Sequence, residues 1–181
     1  MRWIRLYTVL LIALVSGCEK LPTLDWVNPL DLEVAAADSV DTPALVFFPD
    51  SVVVETGSSV QLQVFAMKVD SLSGAHIQIS YEQEKMSLLS ATVGDFFQGA
   101  NTPMFFFNDD TTYGILDIYT ISVGTDTLRE VSGTGNLAYL EFQTLASGKL
   151  ILEYTDESEL VDADDNQIKI QTLFKGIINA E

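Results

Sequence analysis

The chain has 181 residues, 48% of them hydrophobic and 10% aromatic, and carries 26 acidic against 9 basic side chains for a formal charge of −17. That length and apolar content can build one sizeable core plus a tail, which excludes wholesale disorder. An acidic surface with no basic patch repels phosphate backbones, which excludes nucleic acid as a partner. A single Cys and a single His leave no internal disulfide, no material for a transition-metal site and no Cys-His nucleophile pair, so no cofactor or metal is expected.

The first twenty residues read as an export leader. Arg2 and Arg5 precede an apolar run from Leu6 to Val15, too short to span a bilayer, which takes about 20 residues. Val15, Ser16 and Gly17 lead into Cys18. This resembles the bacterial lipobox, in which the chain is cut before the Cys and the thiol takes up a diacylglycerol. The resemblance implies a signal peptide over 1–17, lipidation at Cys18 and attachment to the cell envelope through that lipid. By the same resemblance to known lipoproteins, Glu19 rather than Asp after the Cys implies the outer membrane in a two-membrane organism. A plain signal peptide or a single-pass anchor with an incidental Cys is the plainer alternative. Residues 18–43 hold Pro22, Pro29 and scattered acids without a sustained period; they read as a tether, with Trp26 and Leu30 docking on the domain.

From 44 to 181 the pattern is all-β. Val60, Leu62, Val64 and Ala66 alternate with polar or solvent-side residues, as do Ala75, Ile77, Ile79 and Tyr81. Ala138, Leu140 and Phe142 do the same, followed by Leu150, Leu152 and Tyr154, the period-2 mark of strands with one buried face. Turn signals fall at Thr56-Gly57-Ser58, Ser73-Gly74, Asn108-Asp109-Asp110, Gly133-Thr134-Gly135-Asn136 and Ser147-Gly148. With no long amphipathic helix, these predict an antiparallel β-sandwich of about nine strands. In Gly94–Ala100, Phe96 or Phe97 is expected to pack under its edge.

Three stretches carry a resemblance. Tyr81-Glu82 followed by Met86, Leu88 and Leu89, the run Ser132-Gly133-Thr134-Gly135-Asn136-Leu137-Ala138-Tyr139-Leu140-Glu141-Phe142, and the turn Leu160 to Ile168 follow one another over roughly 44–171 in an order that resembles the cohesin domain. The resemblance implies a nine-stranded jelly roll used as a binding module, whose partner, a dockerin, docks on the face of strands 8, 3, 6 and 5. It places His76, Gln78 and Ser80 on strand 3 and Tyr139, Glu141 and Gln143 on strand 8 of one such face. Cohesins that bind dockerins usually present Asn and Asp at the start of strand 3, where this chain has Gly74 and His76.

Other constellations are weaker. His76 faces outward by alternation, as a recognition residue or simply a solvated one. Tyr139, Phe65 and Tyr119 are aromatics that a protein or a sugar ring would use, unless the tether covers them. Asp162, Asp164 and Asn166 match the first three oxygen positions of a calcium loop, but Gln167 stands where Gly is needed and Leu173 where Glu would close it. A polar turn is the expected reading. Adjacent acids such as Asp109/Asp110 and Asp164/Asp165 point apart and give no glycosidase pair. The chain therefore reads as a non-catalytic, lipid-anchored module that binds a protein, with polysaccharide binding as the alternative.

Overall fold

Alternation of apolar and polar side chains decides which face each strand buries; pairing decides which sheet it joins. The computed structural model describes residue 30 and residues 40–98, 103–124 and 129–181. The leader, Cys18 and Trp26 lie outside the described residues. Thirteen strands follow in order: β1 (Ala44–Phe48), β2 (Ser51–Val54), β3 (Ser59–Leu72), β4 (Gly74–Tyr81), β5 (Met86–Val93), β6 (Met104–Asp110), β7 (Ile115–Ile121), β8 (Val131–Thr144), β9 (Gly148–Tyr154), β10 (Glu159–Val161), β11 (Gln167–Ile168), β12 (Thr172–Leu173) and β13 (Lys175–Ala180). Nine of these are long, as expected, and β2, β10, β11 and β12 are additions of two to four residues. The pairing is also mixed: β1 runs parallel to β12 and β13 parallel to β2.

One sheet has the order β12-β1-β3-β8-β5. In the other, β6, β7 and β4 run side by side, β9, β13 and β2 continue from β4, and β10 and β11 also pair from the β4 side. Between the sheets lies the core. Leu62, Val64, Leu140 and Phe142 come from one side, and Ile77, Ile79, Leu116, Ile118, Leu150 and Leu152 from the other. Phe47 stacks on Tyr154 across the gap at 4.3 Å. Phe97 is buried in this core with Phe96 partly buried beside it, as the sequence predicted.

Two turn signals are corrected. Asn108–Asp110 is the end of β6, with the reversal just after it at 111–114. Gly133–Asn136 lies inside β8, not in a turn. There β3 carries register shifts around Val69, with Lys68 and Ser71 at φ 50° and 55°. The backbone amides of these two bulged residues donate to Thr134 Oγ1 at 3.0 Å and Ser132 Oγ at 2.8 Å. The Gly-rich run thus faces a doubly bulged partner and continues the strand instead of reversing it.

Residues 40–43 are fastened, not free. The Gln171 amide donates to the Pro43 carbonyl at 2.7 Å, and Thr172 Oγ1 donates to the Asp41 carbonyl at 2.8 Å. Leu30 and Val40 pack with Phe65 and Phe174 over Ala44, Val46 and Met67 on the outer surface of the five-stranded sheet.

Asp50, in the β1–β2 turn, is buried, and its Oδ2 has no hydrogen-bond partner among the described residues. Burial raises its carboxyl above the ordinary 3.8, against the pull of the Asp50 and Ser51 backbone amides. The raised folded-state value means no penalty at low pH and a growing one as pH rises through that value. Asp50→Asn is therefore expected to be more stable than the native chain at pH 7, with the advantage vanishing below about pH 4. Denaturant melts at both pH values measure it.

Candidate functional site

The β6–β7 hairpin sets the register of the most unusual surface. Asp110 closes its turn: the Asp110 carbonyl accepts from the Gly114 amide at 2.9 Å, and Oδ1 accepts from the Thr112 amide at 3.0 Å. Gly114 sits at φ +65°, and a Cβ there would lie 2.2 Å from the Tyr81 carbonyl oxygen, so only glycine fits. Counting back from this turn pairs Phe106 with Tyr119, and the β4–β7 register pairs Tyr119 with His76.

Three rings therefore stand in one row across three strands, on the outer face of the larger sheet. His76 and Tyr119 stack at 4.4 Å with planes 2° apart, and Tyr119 and Phe106 stack at 4.6 Å and 15°. These spacings are close to the strand separation of about 4.8 Å, so each ring stands edge-up on its own strand. Both faces of Tyr119 are covered.

The row has a polar side. His76 Nε2 meets Asp117 Oδ1 at 2.9 Å, and Gln78 Nε2 donates to the same oxygen at 2.9 Å. With the carboxylate accepting, the imidazole proton resides on Nε2. Thr155 Oγ1 donates to Gln78 Oε1 at 2.7 Å, so the amide is held from both ends. Glu159 lies opposite His76 on β10, and the Lys175–Glu153 pair at 2.5 Å closes the far end beyond Ser80. On the other side of the row, Met104 pairs with Ile121, and both are exposed. The result is a flat, rigid face, apolar toward β6 and hydrogen-bonding toward β4, its side chains fixed before any partner arrives.

The six residues expected on one face are divided between two. His76, Gln78 and Ser80 stand on the face just described. Tyr139, Glu141 and Gln143 point from β8, which belongs to the other sheet, so they lie on the opposite side of the sandwich. Alternation identified them correctly as outward, but β8 pairs with β3 and β5 and never with β4. There Tyr139 lies between Gln63 and Thr92, and Glu141 accepts from Ser90 Oγ at 3.4 Å. Phe65 meets Phe48 edge-on at 6.1 Å and packs, partly buried, against Ala44, Val46 and Met67. Asp117 and Phe106 were not anticipated.

Two further acids are structural. Asp162 Oδ1 accepts from the backbone amides of Asp164 at 2.9 Å and Asn166 at 2.8 Å, and the Asn166 side chain caps it. The Asn166 side-chain and backbone donors hold the Asp162 carboxyl below its usual range, as in a closed polar turn. Among the described residues no group of three or more His, Cys, Asp or Glu side chains converges to hold a metal. Asp109 points inward and accepts from the buried Tyr81 hydroxyl at 2.6 Å. Burial, then this carboxylate, pushes the Tyr81 phenol far above its ordinary value. Tyr81→Phe leaves Asp109 without its donor and is expected to cost about 1–3 kcal/mol in equilibrium unfolding.

No family model matches the sequence and no curated protein matches it. Solved structures do. The sixth cohesin of Acetivibrio cellulolyticus scaffoldin B, crystallised with a Cel5 dockerin mutant, superposes with a TM-score of 0.64 at 22% identity, over 76% of this chain and 98% of that one. The solution structure of CaCohA2 from Clostridium acetobutylicum gives 0.60 at 22% identity, over 76% and 89%. A non-cellulosomal cohesin from the archaeon Archaeoglobus fulgidus gives 0.60 at 18% identity, over 76% and 88%. Strand order, the two-sheet core and these superpositions agree: the described residues form a cohesin-like β-sandwich domain.

Proposed function

We propose that this chain is a lipid-anchored, non-catalytic protein-docking module of the cell envelope, and that its docking surface is the outer face of β6, β7, β4 and β9. The observation that carries the reading is the His76–Tyr119–Phe106 row, flanked by exposed Met104 and Ile121 and by the Asp117–Gln78 network. Aromatic anchors in a rigid apolar centre with a satisfied polar rim are the anatomy of a protein hot spot. Cohesins of the same fold have been crystallised as complexes with dockerins, which makes a dockerin-type module the first partner to test. The anchor is Cys18, acylated after removal of 1–17, and the outer membrane is the destination in a two-membrane cell.

Polysaccharide binding fits this face less well. Sugar rings lie flat against open aromatic faces, whereas Tyr119 is covered on both sides and presents only its edge. The test is titration of the purified full-length chain with a panel of dockerin modules, alongside a glycan array. Saturable dockerin binding with a blank array supports the reading; glycan binding with no dockerin bound overturns it. Metabolic labelling with a fatty-acid analogue tests the anchor, and label retained in Cys18→Ser removes it.

A further inference from the structure

The row of rings ends abruptly. Phe106 is stacked by Tyr119 on one side, and its other side looks out over the far edge of β6. Among the described residues β6 pairs only with β7, and its far edge has no strand partner among them. Met104 is 55% exposed, Phe106 49% and Phe107 43%. Met104 and Phe106 stand on the outer face and Phe107 on the other, because register sets Phe106 opposite Tyr119 and Phe107 opposite Ile118. A partner lying on the face would cover Phe106 and leave Phe107 wet. Only a partner arriving edge-on, as a strand, covers both.

We infer that the partner at this edge is a second copy of the same strand: two chains pair β6 to β6 antiparallel, about a two-fold axis through Phe106. A two-fold axis normal to the sheet preserves its faces, so opposed residues share parity. Pairing Phe106 with its copy then sets Phe105 against Phe107 and Met104 against Asn108. Apolar meets apolar at the centre of both faces. Asp109 falls opposite Pro103, and the two copies of Asp109 stand six positions apart, about 20 Å along the strand, beyond the ~8 Å screening length of physiological salt.

The second Phe106 arrives at the strand spacing of about 4.8 Å, where the stack is open. The row becomes six rings, His76 to His76, continuous across both chains. The guards present, Pro103 before the strand and the inward Asp109, lie at its two ends, three residues from the axis. Natural edges are commonly blunted by Lys, Pro or a bulge, and β6 has none within Met104–Asp110. The general acidity of both copies opposes association at long range, so added salt strengthens the dimer. The outer face stays open, so pairing and docking are compatible.

The test uses the full-length chain carrying Cys18→Ser, which has no other thiol. Phe106→Cys puts two cysteines at Cα separations of about 4.5–5.5 Å, inside the disulfide range. Ile121→Cys puts them three strand spacings apart across the sheet and four residues apart along it, about 20 Å in all, beyond it. Under mild oxidation the first variant is expected to give a covalent dimer on a non-reducing gel and the second none. No dimer from either, or equal amounts from both, overturns the proposal. Independently, sedimentation of the Cys18→Ser chain at about 0.1 mM is expected to show a dimer that becomes monomer in Phe106→Lys with an unchanged circular dichroism spectrum. A monomeric parent, or a Lys variant that still dimerises, overturns it.

Discussion

Gly94→Ala is expected to lower the melting temperature by roughly 10 °C, from a loss of about 3 kcal/mol or more at a few degrees per kcal/mol for a chain of this size. The cause is backbone against backbone. The Gly94 amide donates to the Leu137 carbonyl at 2.9 Å and the Phe96 amide to the Asn136 carbonyl at 2.9 Å, which draws this segment tightly onto β8. A Cβ on residue 94 would sit 2.1 Å from the Asn136 carbonyl oxygen and 2.6 Å from the Leu137 carbonyl carbon. Neither is the end of a flexible side chain that can swing away. Retreat of β8 at this point would also break the buried Asn136 network, in which its Oδ1 accepts from the Ala138 amide at 3.0 Å and its Nδ2 donates to Gln63 Oε1 at 3.2 Å. Gly57→Ala is the comparison: it has φ +90° but nothing within 4 Å, so backbone strain alone acts, about 1–2 kcal/mol. Thermal melts by circular dichroism separate the two, and equal losses would refute the collision argument.

Tyr119→Ala is expected to weaken partner binding by about 30-fold or more, the effect of removing a hot-spot aromatic. Tyr119 is the middle ring. Its loss releases His76 and Phe106 together, since each stacks on it, and the imidazole keeps only Asp117. The cost therefore exceeds that of one lost contact, because the free protein must now order two further side chains on binding. Tyr139→Ala, on the opposite face, is expected to leave the affinity within error. Equal losses from both variants, measured by titration with the same dockerin module, would place the docking surface elsewhere.

What could be read from the chain depended on range. Whether a side chain points in or out is a property of two neighbours, so alternation placed Leu62, Ile77, Leu140 and Leu152 in the core. Which sheet a strand joins depends on partners far along the chain. Alternation is blind to that; the shared face of Tyr139 and His76 came from the resemblance alone, and the pairing of β8 with β3 and β5 separates them. The glycines of 133–136 were misread for a related reason: their conformation answers Lys68 and Ser71, some sixty residues earlier. The ring row lay between these extremes. The hairpin register follows by counting only from the true reversal at 111–114; the turn signal at Asn108–Asp110, which ends β6 instead, hid Phe106 opposite Tyr119 in "FFFNDDTTYGILDIYT". The third ring needed the β4–β7 pairing, which no local signal contains.

The fastening of residues 40–43 has a mechanical consequence. In an anchored molecule the chain leaves from the five-stranded sheet, while the ring row stands on the other, so tension between membrane and partner cannot travel within a single sheet. It passes between the sheets, along the chain at Pro49–Asp50 and Ser73 and through interlocked side chains such as Phe47 on Tyr154. The strand that receives the load, β1, is gripped on both edges, by five registered positions of β3 and by β12 running alongside it. The attachment is thus built at the load-bearing end of the sandwich, and a partner that pulls would draw the two sheets against their shared core without peeling either one open.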